Sequence, residues 1–174
     1  KRIKIQGATK IGIAGVHALH RKHLQLRDSR KLKKYSELLL SVRRTEPFLQ
    51  NCINFYLDSI KDGNPNKVIE ELLDFISRSK LKIVNSGVLL VKNKSNIFTH
   101  CHSSAVTSIL INAWKGGSRF TVHNTETRPL FQGRLTAAEL VAAGIPVMHY
   151  VDSEARIALR NCDLFMFGSE AINK

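Results

Sequence analysis

The sequence predicts an α/β chain, with a helical N-terminal half over residues 1–94 and a parallel sheet with flanking helices over residues 95–174. Three observations carry this. Apolar residues recur every three or four positions as far as residue 94. Beyond it, apolar runs of strand length alternate with helix-length segments, and strands separated in that way pair in parallel through crossovers. Residues that start helices stand where those segments begin. The second half is therefore read as a Rossmann-like domain behind a helical one.

The elements follow in order. Gly7-Ala8-Thr9-Lys10 reads as a short small-residue loop ahead of a helical stretch, without the G-x-x-x-x-G-K-[ST] spacing of a P-loop. Leu38 to Val42 forms a short apolar stripe. Phe48, Cys52, Phe55 or Tyr56, and Ile60 line a helix that Gly63-Asn64-Pro65 ends. Val68, Ile69, Leu72, Leu73 and Ile76 stripe the next helix, and these stripes read as core. In the second half, strands are expected at 96–100, 119–123, 146–151 and 164–167, with helices at 103–115, 136–143 and 153–160. Ser103 is placed to cap the first of those helices. Thr136 with Glu139 makes a T-x-x-E capping box for the second, and Asp152 or Ser153 stands at the start of the third.

Composition bounds the function. With 174 residues, 43% of them hydrophobic, the chain can bury a core despite a net charge of +13. No apolar run reaches the ~18 residues that cross a bilayer, and no secretory leader is read at the N-terminus. Three scattered cysteines, Cys52, Cys101 and Cys162, make no disulfide framework, so a reducing, cytoplasmic setting is expected. Residues 1–50 carry 13 Lys and Arg against Asp28, Glu37 and Glu46. That excess fits nucleic acid, a solvated helix surface or a small phosphorylated ligand, and the sparse aromatics give little support to base stacking.

The polar clusters carry the chemistry. In open parallel sheets, ligands bind at the carboxyl ends of the strands, where helix N-termini converge. His100-Cys101-His102-Ser103-Ser104 follows the first strand and Asn124-Thr125-Glu126-Thr127-Arg128 the second. Asp152-Ser153-Glu154 follows the third and Gly168-Ser169-Glu170 the fourth. Cys101, just before a helix start and between two histidines, is placed for a reactive thiolate, whereas Cys52 and Cys162 sit in apolar stretches as small hydrophobes. A metal site is not expected. In an extended segment His100 and His102 point one way and Cys101 the other, and no C-x-x-C or H-x-x-x-H spacing accompanies them. Arg128, ahead of Pro129, suits a phosphate or carboxylate, or a surface ion pair with Glu126. Gly133 after Gln132 permits a close backbone approach or marks a turn.

Thr99-His100-Cys101-His102-Ser103, Thr125-Glu126-Thr127-Arg128-Pro129, Gln132-Gly133 and Thr136-Ala137 together resemble the archaeal-type ribose-1,5-bisphosphate isomerases. So do Gly144-Ile145-Pro146-Val147 and Asp152-Ser153 with Ala155-Arg156. Those enzymes share a superfamily with methylthioribose-1-phosphate isomerase and the regulatory subunits of translation initiation factor 2B. The match is dense over residues 99–172 and looser around Gly7, Ala8, Lys10 and Arg43.

The resemblance implies an aldose–ketose isomerase converting ribose-1,5-bisphosphate to ribulose-1,5-bisphosphate in nucleotide salvage, with no cofactor. Cys101 matches the family's catalytic cysteine, and Glu170 falls where its catalytic aspartate stands. Isomerisation needs one group that exchanges a proton with carbon and another that manages a hydroxyl proton; Cys101 and Glu170 can divide that work. Phosphates would be held by Gly7, Ala8, Lys10, Arg43, Ser103, Arg128 and Gln132. A homo-oligomer, a dimer or a trimer of dimers, is implied, and a nucleotide effector is allowed. Neither membrane nor nucleic acid is an expected partner. The alternative function is a non-catalytic regulatory subunit that binds an initiation factor or a nucleotide. The family continues beyond the fourth strand, so a C-terminal part is expected to be missing.

Overall fold

A computed structural model describes residues 5, 7–26 and 28–169. The chain divides into two compact units, one reaching from the N-terminus to Arg78 and including Ser169, the other Ser79–Gly168. Among the described residues no helix is long and apolar enough to cross a membrane.

The first unit is helical. Helix α1, Ala8–Gln25, begins directly at Gly7, so Ala8, Thr9 and Lys10 form its first turn rather than the loop expected of them. Helix α2, Ser29–Val42, starts where the Asp28 carboxylate accepts from the Arg30 amide at 2.8 Å. Helix α3, Pro47–Ser59, opens on a proline that has no amide to lose. Asn64 ends one run and starts the next, its side chain accepting from the Asn66 amide at 2.9 Å ahead of α4, Pro65–Val88. Val16, Leu19, Leu32, Leu49, Cys52, Ile53, Tyr56, Val68, Ile69 and Leu72 form the core. A fully buried side chain such as Leu19 or Ile53 contributes about 2 kcal/mol.

Two stripes differ in phase from the expectation. On α3 the buried face is Leu49, Cys52, Ile53 and Tyr56, with Phe55 exposed. On α2, Leu32 and Ser36 are buried while Leu38 and Val42 face solvent. A run of consecutive apolar residues leaves a helix's rotation open, and packing decides it.

The second unit is a four-stranded sheet of order β3-β2-β1-β4, parallel throughout. Its strands are β1, Asn96–Thr99; β2, Thr121–Thr125; β3, Val147–Tyr150; and β4, Leu164–Phe165. Helix α5, Ser104–Lys115, joins β1 to β2, and α6, Gln132–Ala142, joins β2 to β3. A 3-10 turn, Asp152–Glu154, and α7, Ala155–Leu159, lead to β4. Ile97, Leu110, Val122, Leu140 and Ile145 lie at the centre of its core. Val84 and Val88 of α4 pack on that core too, so packing changes at residues 78–79 whereas the sequence pattern changes near 95.

The strand β2 begins two residues later than expected. Arg119 is tied off by Asn93, whose side chain accepts from its amide, and the parallel register pairs Asn96 with Thr121. Asn124 and Thr125 are consequently strand residues, fully buried, rather than part of the loop beyond. Helix α6 begins four residues before the expected start, so Thr136 lies inside it and the capping box with Glu139 does not form. The expected 153–160 helix becomes a 3-10 turn and a short α-helix.

Candidate functional site

The strand order reverses beside β1: the chain passes from β1 to β2 and β3 on one side, then returns to place β4 on the other. A crevice at the carboxyl ends of β1 and β4 is the expected ligand position of such a sheet. His100–Ser103 leaves β1 there and Met166–Gly168 leaves β4. The two segments touch: a Cβ on Gly168 would lie 2.6 Å from the Ser103 hydroxyl, so only glycine fits.

Cys101 is half-buried, and its Sγ donates to Gln132 Oε1 at 3.1 Å. Its backbone is left-handed, with φ of 64°, so the segment is not extended here and the alternation used against a metal site does not hold. The cause is hydrogen bonding. The Cys101 amide donates to Thr127 Oγ1 at 2.9 Å, and its carbonyl accepts from Thr136 Oγ1 at 2.9 Å. Because the Thr136 hydroxyl spends its proton on that carbonyl, His102 must donate Nδ1–H to it across 3.1 Å. His100 Nδ1 sits 2.6 Å from Thr125 Oγ1. The threonines on β2, its following loop and α6 therefore hold the loop that carries the thiol. Among the described residues no cluster of three His, Cys, Asp or Glu side chains could hold a metal ion.

Gln132 reaches the thiol because α6 comes unusually close to β2. A Cβ on Gly133 would overlap the Thr125 carbonyl, which settles the two uses of this glycine in favour of close approach. The Gly133 amide donates to Glu126 O at 3.2 Å, and its carbonyl accepts from the buried Asn124 side chain at 2.7 Å.

Ser103 caps α5 as expected, its hydroxyl accepting from the Val106 amide at 3.5 Å. Arg128 is exposed, and among the described residues it has no ion pair. Glu126, the alternative partner, is engaged instead by Arg134 at 3.2 Å. Asp152 does not cap its own helix. Its two oxygens accept from the amides of Thr127 at 2.9 Å and Arg128 at 2.8 Å. The Arg128 amide first, then that of Thr127 and the Thr125 hydroxyl, hold its carboxyl below the usual aspartate range.

The sheet unit thus gathers Cys101, Ser103, Arg128 and Gln132 at the strand ends. Gly7, Ala8, Lys10 and Arg43 belong to the helical unit: the first three at the start of α1, where amides are free to bind an anion, and Arg43 at the C-terminal cap of α2. Glu170 lies outside the described residues. Of the other two cysteines, Cys52 is buried, which pushes its thiol up to about 11, and Cys162 is half-buried and donates to Ala158 O. A cavity of about 470 Å3 lined by Glu126, Arg134, Ala137, His149, Tyr150 and Val151 includes none of the expected site residues. Sequence reasoning missed Thr127 and Asn124 as supports, and it read Asp152 as a helix cap. The only available signal was their place in the polar clusters after β2 and β3.

A family model described as "Initiation factor 2 subunit family" matches residues 4–174. The ribose 1,5-bisphosphate isomerase of Methanocaldococcus jannaschii is 34% identical over 99% of this chain and 59% of its own length. That of Thermococcus kodakarensis is 32% identical over the same shares. The crystal structure of the Pyrococcus horikoshii translation initiation factor eIF-2B superposes with a TM-score of 0.85, at 24% identity, over 98% of this chain and 63% of that one. At that identity the likeness is one of fold. The chain spans about three fifths of the length of the curated relatives it matches.

Proposed function

The chain belongs to the initiation factor 2 subunit family, and from that premise we propose that it is the catalytic part of a sugar-phosphate isomerase, acting on ribose-1,5-bisphosphate to form ribulose-1,5-bisphosphate. The observation that supports this most is the thiol of Cys101, half-buried at the switch point of the sheet with the Gln132 amide 3.1 Å from it. The relatives named as isomerases over nearly the whole chain support the same reading.

In the reaction the bond from C1 to the ring oxygen breaks and that oxygen takes up a proton. A hydrogen moves from C2 to C1, and the C2 hydroxyl gives up its proton as C2 becomes the carbonyl. Cys101 works at carbon and Glu170 at the oxygen, the roles of base and acid alternating between them. Among the described residues Arg128 has no carboxylate partner to release before it meets a phosphate. The family resemblance assigns Gln132 and Ser103 of the sheet unit to phosphate, and likewise assigns Gly7, Ala8, Lys10 and Arg43 of the helical unit. The excess of cations in residues 1–50 is in part substrate binding. An oligomer with other copies of this chain belongs to the same proposal.

The test is turnover of ribose-1,5-bisphosphate by the whole protein, with Cys101 intact and after Cys101→Ser. We expect the substitution to lower kcat by about 1,000-fold or more, with Cys162→Ser leaving it unchanged. Isomerisation retained by Cys101→Ser overturns the assignment. Absence of turnover in the unaltered protein, with binding of an initiation factor or a nucleotide, would favour a regulatory subunit instead.

A further inference from the structure

We propose that Asp152 is a positioning residue for this reaction, a single carboxylate that aligns the Cys101 loop and the Arg128 side chain together. The inference rests on the isomerase reading above. Asp152 is an acid in an unexpected place. Asp152 opens a 3-10 turn, yet neither oxygen serves that turn. Both reach across to the loop after β2, one to each of two consecutive amides, at 2.9 Å for Thr127 and 2.8 Å for Arg128.

What those two amides hold gives the bond its consequence. Thr127 is left-handed, φ 59°, a costly conformation for a β-branched residue that persists only when its surroundings impose it. In that conformation its hydroxyl accepts from the Cys101 amide at 2.9 Å and donates toward Thr125 O at 3.3 Å. Cys101 is left-handed too, and its sulfur meets Gln132 from there. Arg128, the neighbouring residue, starts its side chain from the second amide. The groups facing the carboxylate are those two amides, the Thr125 hydroxyl and the His100 ring. No lysine or arginine side chain pairs with it among the described residues. Its charge is therefore spent on the backbone of the site. Removing it frees two left-handed residues at once, and with them the sulfur and the guanidinium.

The decisive comparison uses Asp152→Asn, Thr127→Val and Thr127→Ser in the whole protein, each first checked for a folded melting transition. Asparagine cannot accept from both amides. Valine keeps the shape of Thr127 but loses the hydroxyl beneath Cys101, and serine restores it. Two readouts are taken: kcat and KM for ribose-1,5-bisphosphate, and the rate at which iodoacetamide alkylates Cys101 relative to Cys162. We expect Asp152→Asn to lower kcat/KM by about 100-fold, with kcat down and KM up. Thr127→Val should lower kcat with KM little changed, and Thr127→Ser should behave as the unaltered protein. Both damaging variants should shift the alkylation rate of Cys101 while leaving that of Cys162 alone. A folded Asp152→Asn protein with unaltered kcat/KM and alkylation overturns the proposal. Should Asp152→Asn fail to fold, equal behaviour of Thr127→Val and Thr127→Ser overturns it. If the unaltered protein shows no turnover, the isomerase reading falls, and the alkylation rates alone still decide whether Asp152 aligns the thiol.

Discussion

Replacing Gly133 with alanine probes the closest approach in the sheet unit. The added methyl group would overlap the Thr125 carbonyl oxygen, and it would stand 2.8 Å from Thr125 C and 3.0 Å from Glu126 C. All three neighbours are backbone, so no side-chain rotation relieves the overlap. Restoring ordinary contact near 3.5 Å requires α6 to back away from β2 by roughly an ångström or more. Overpacking of this kind costs about 1–3 kcal/mol. The same movement breaks the bond from the Asn124 side chain to Gly133 O, leaving the amide of a fully buried residue without its acceptor, which adds about 1–3 kcal/mol. The expected loss is therefore about 2–6 kcal/mol of unfolding free energy, read from urea denaturation at constant slope. Gln132, one residue earlier, moves with the helix, so Cys101 alkylation should change in the protein that remains folded. A loss below about 0.5 kcal/mol, the range of an uninvolved surface change, would refute the argument.

Three further outcomes follow from the same structure. Ser103→Ala removes the cap of α5 and should cost about 1 kcal/mol in the same denaturation assay. Tyr56→Phe deletes a buried hydroxyl shared by His20 Nδ1 at 2.9 Å and His23 Nδ1 at 3.0 Å, and should cost about 1–3 kcal/mol. Burial pushes that phenol up to about 12, so its contribution is whole below the ordinary phenol value and is lost as pH rises through 12. The late phenolate absorbance step should vanish in Tyr56→Phe. Asp152 has the opposite sign: with its carboxyl held low, its contribution is present above the ordinary aspartate value. It is lost as pH falls through the folded one, and acid unfolding of Asp152→Asn should lack that part.

The candidate site was legible where chemistry and strand ends coincide. Cys101, Ser103 and Arg128 could be proposed because polar residues after apolar runs mark the ligand-binding ends of a parallel sheet, whereas Gln132 came from the family resemblance; the structure gathers all four at those ends. The supports were not legible, since a hydroxyl or carboxylate in a polar loop carries no sign of which amide it meets. Thr136 shows the difficulty. Its T-x-x-E spacing is a fair capping signal, but α6 begins earlier at Gln132, and the hydroxyl serves Cys101 O instead.

Local pattern alone settled the kind of most elements, the 3-10 turn at Asp152–Glu154 and the first turn of α1 being the exceptions. Period-3.6 stripes made helices of the first half, and short apolar runs between helix-length segments made a parallel α/β sheet of the second. Tertiary contacts decided what pattern leaves free. These are the rotation of α2 and α3, the two-residue shift of β2, the turn of Cys101 into left-handed backbone, and the pairing of Asp152 with amides 24 and 25 residues away. The physical reason is range. Hydrophobic periodicity and capping act within a few residues, whereas a buried donor or acceptor takes whatever partner the packed chain brings within hydrogen-bond reach.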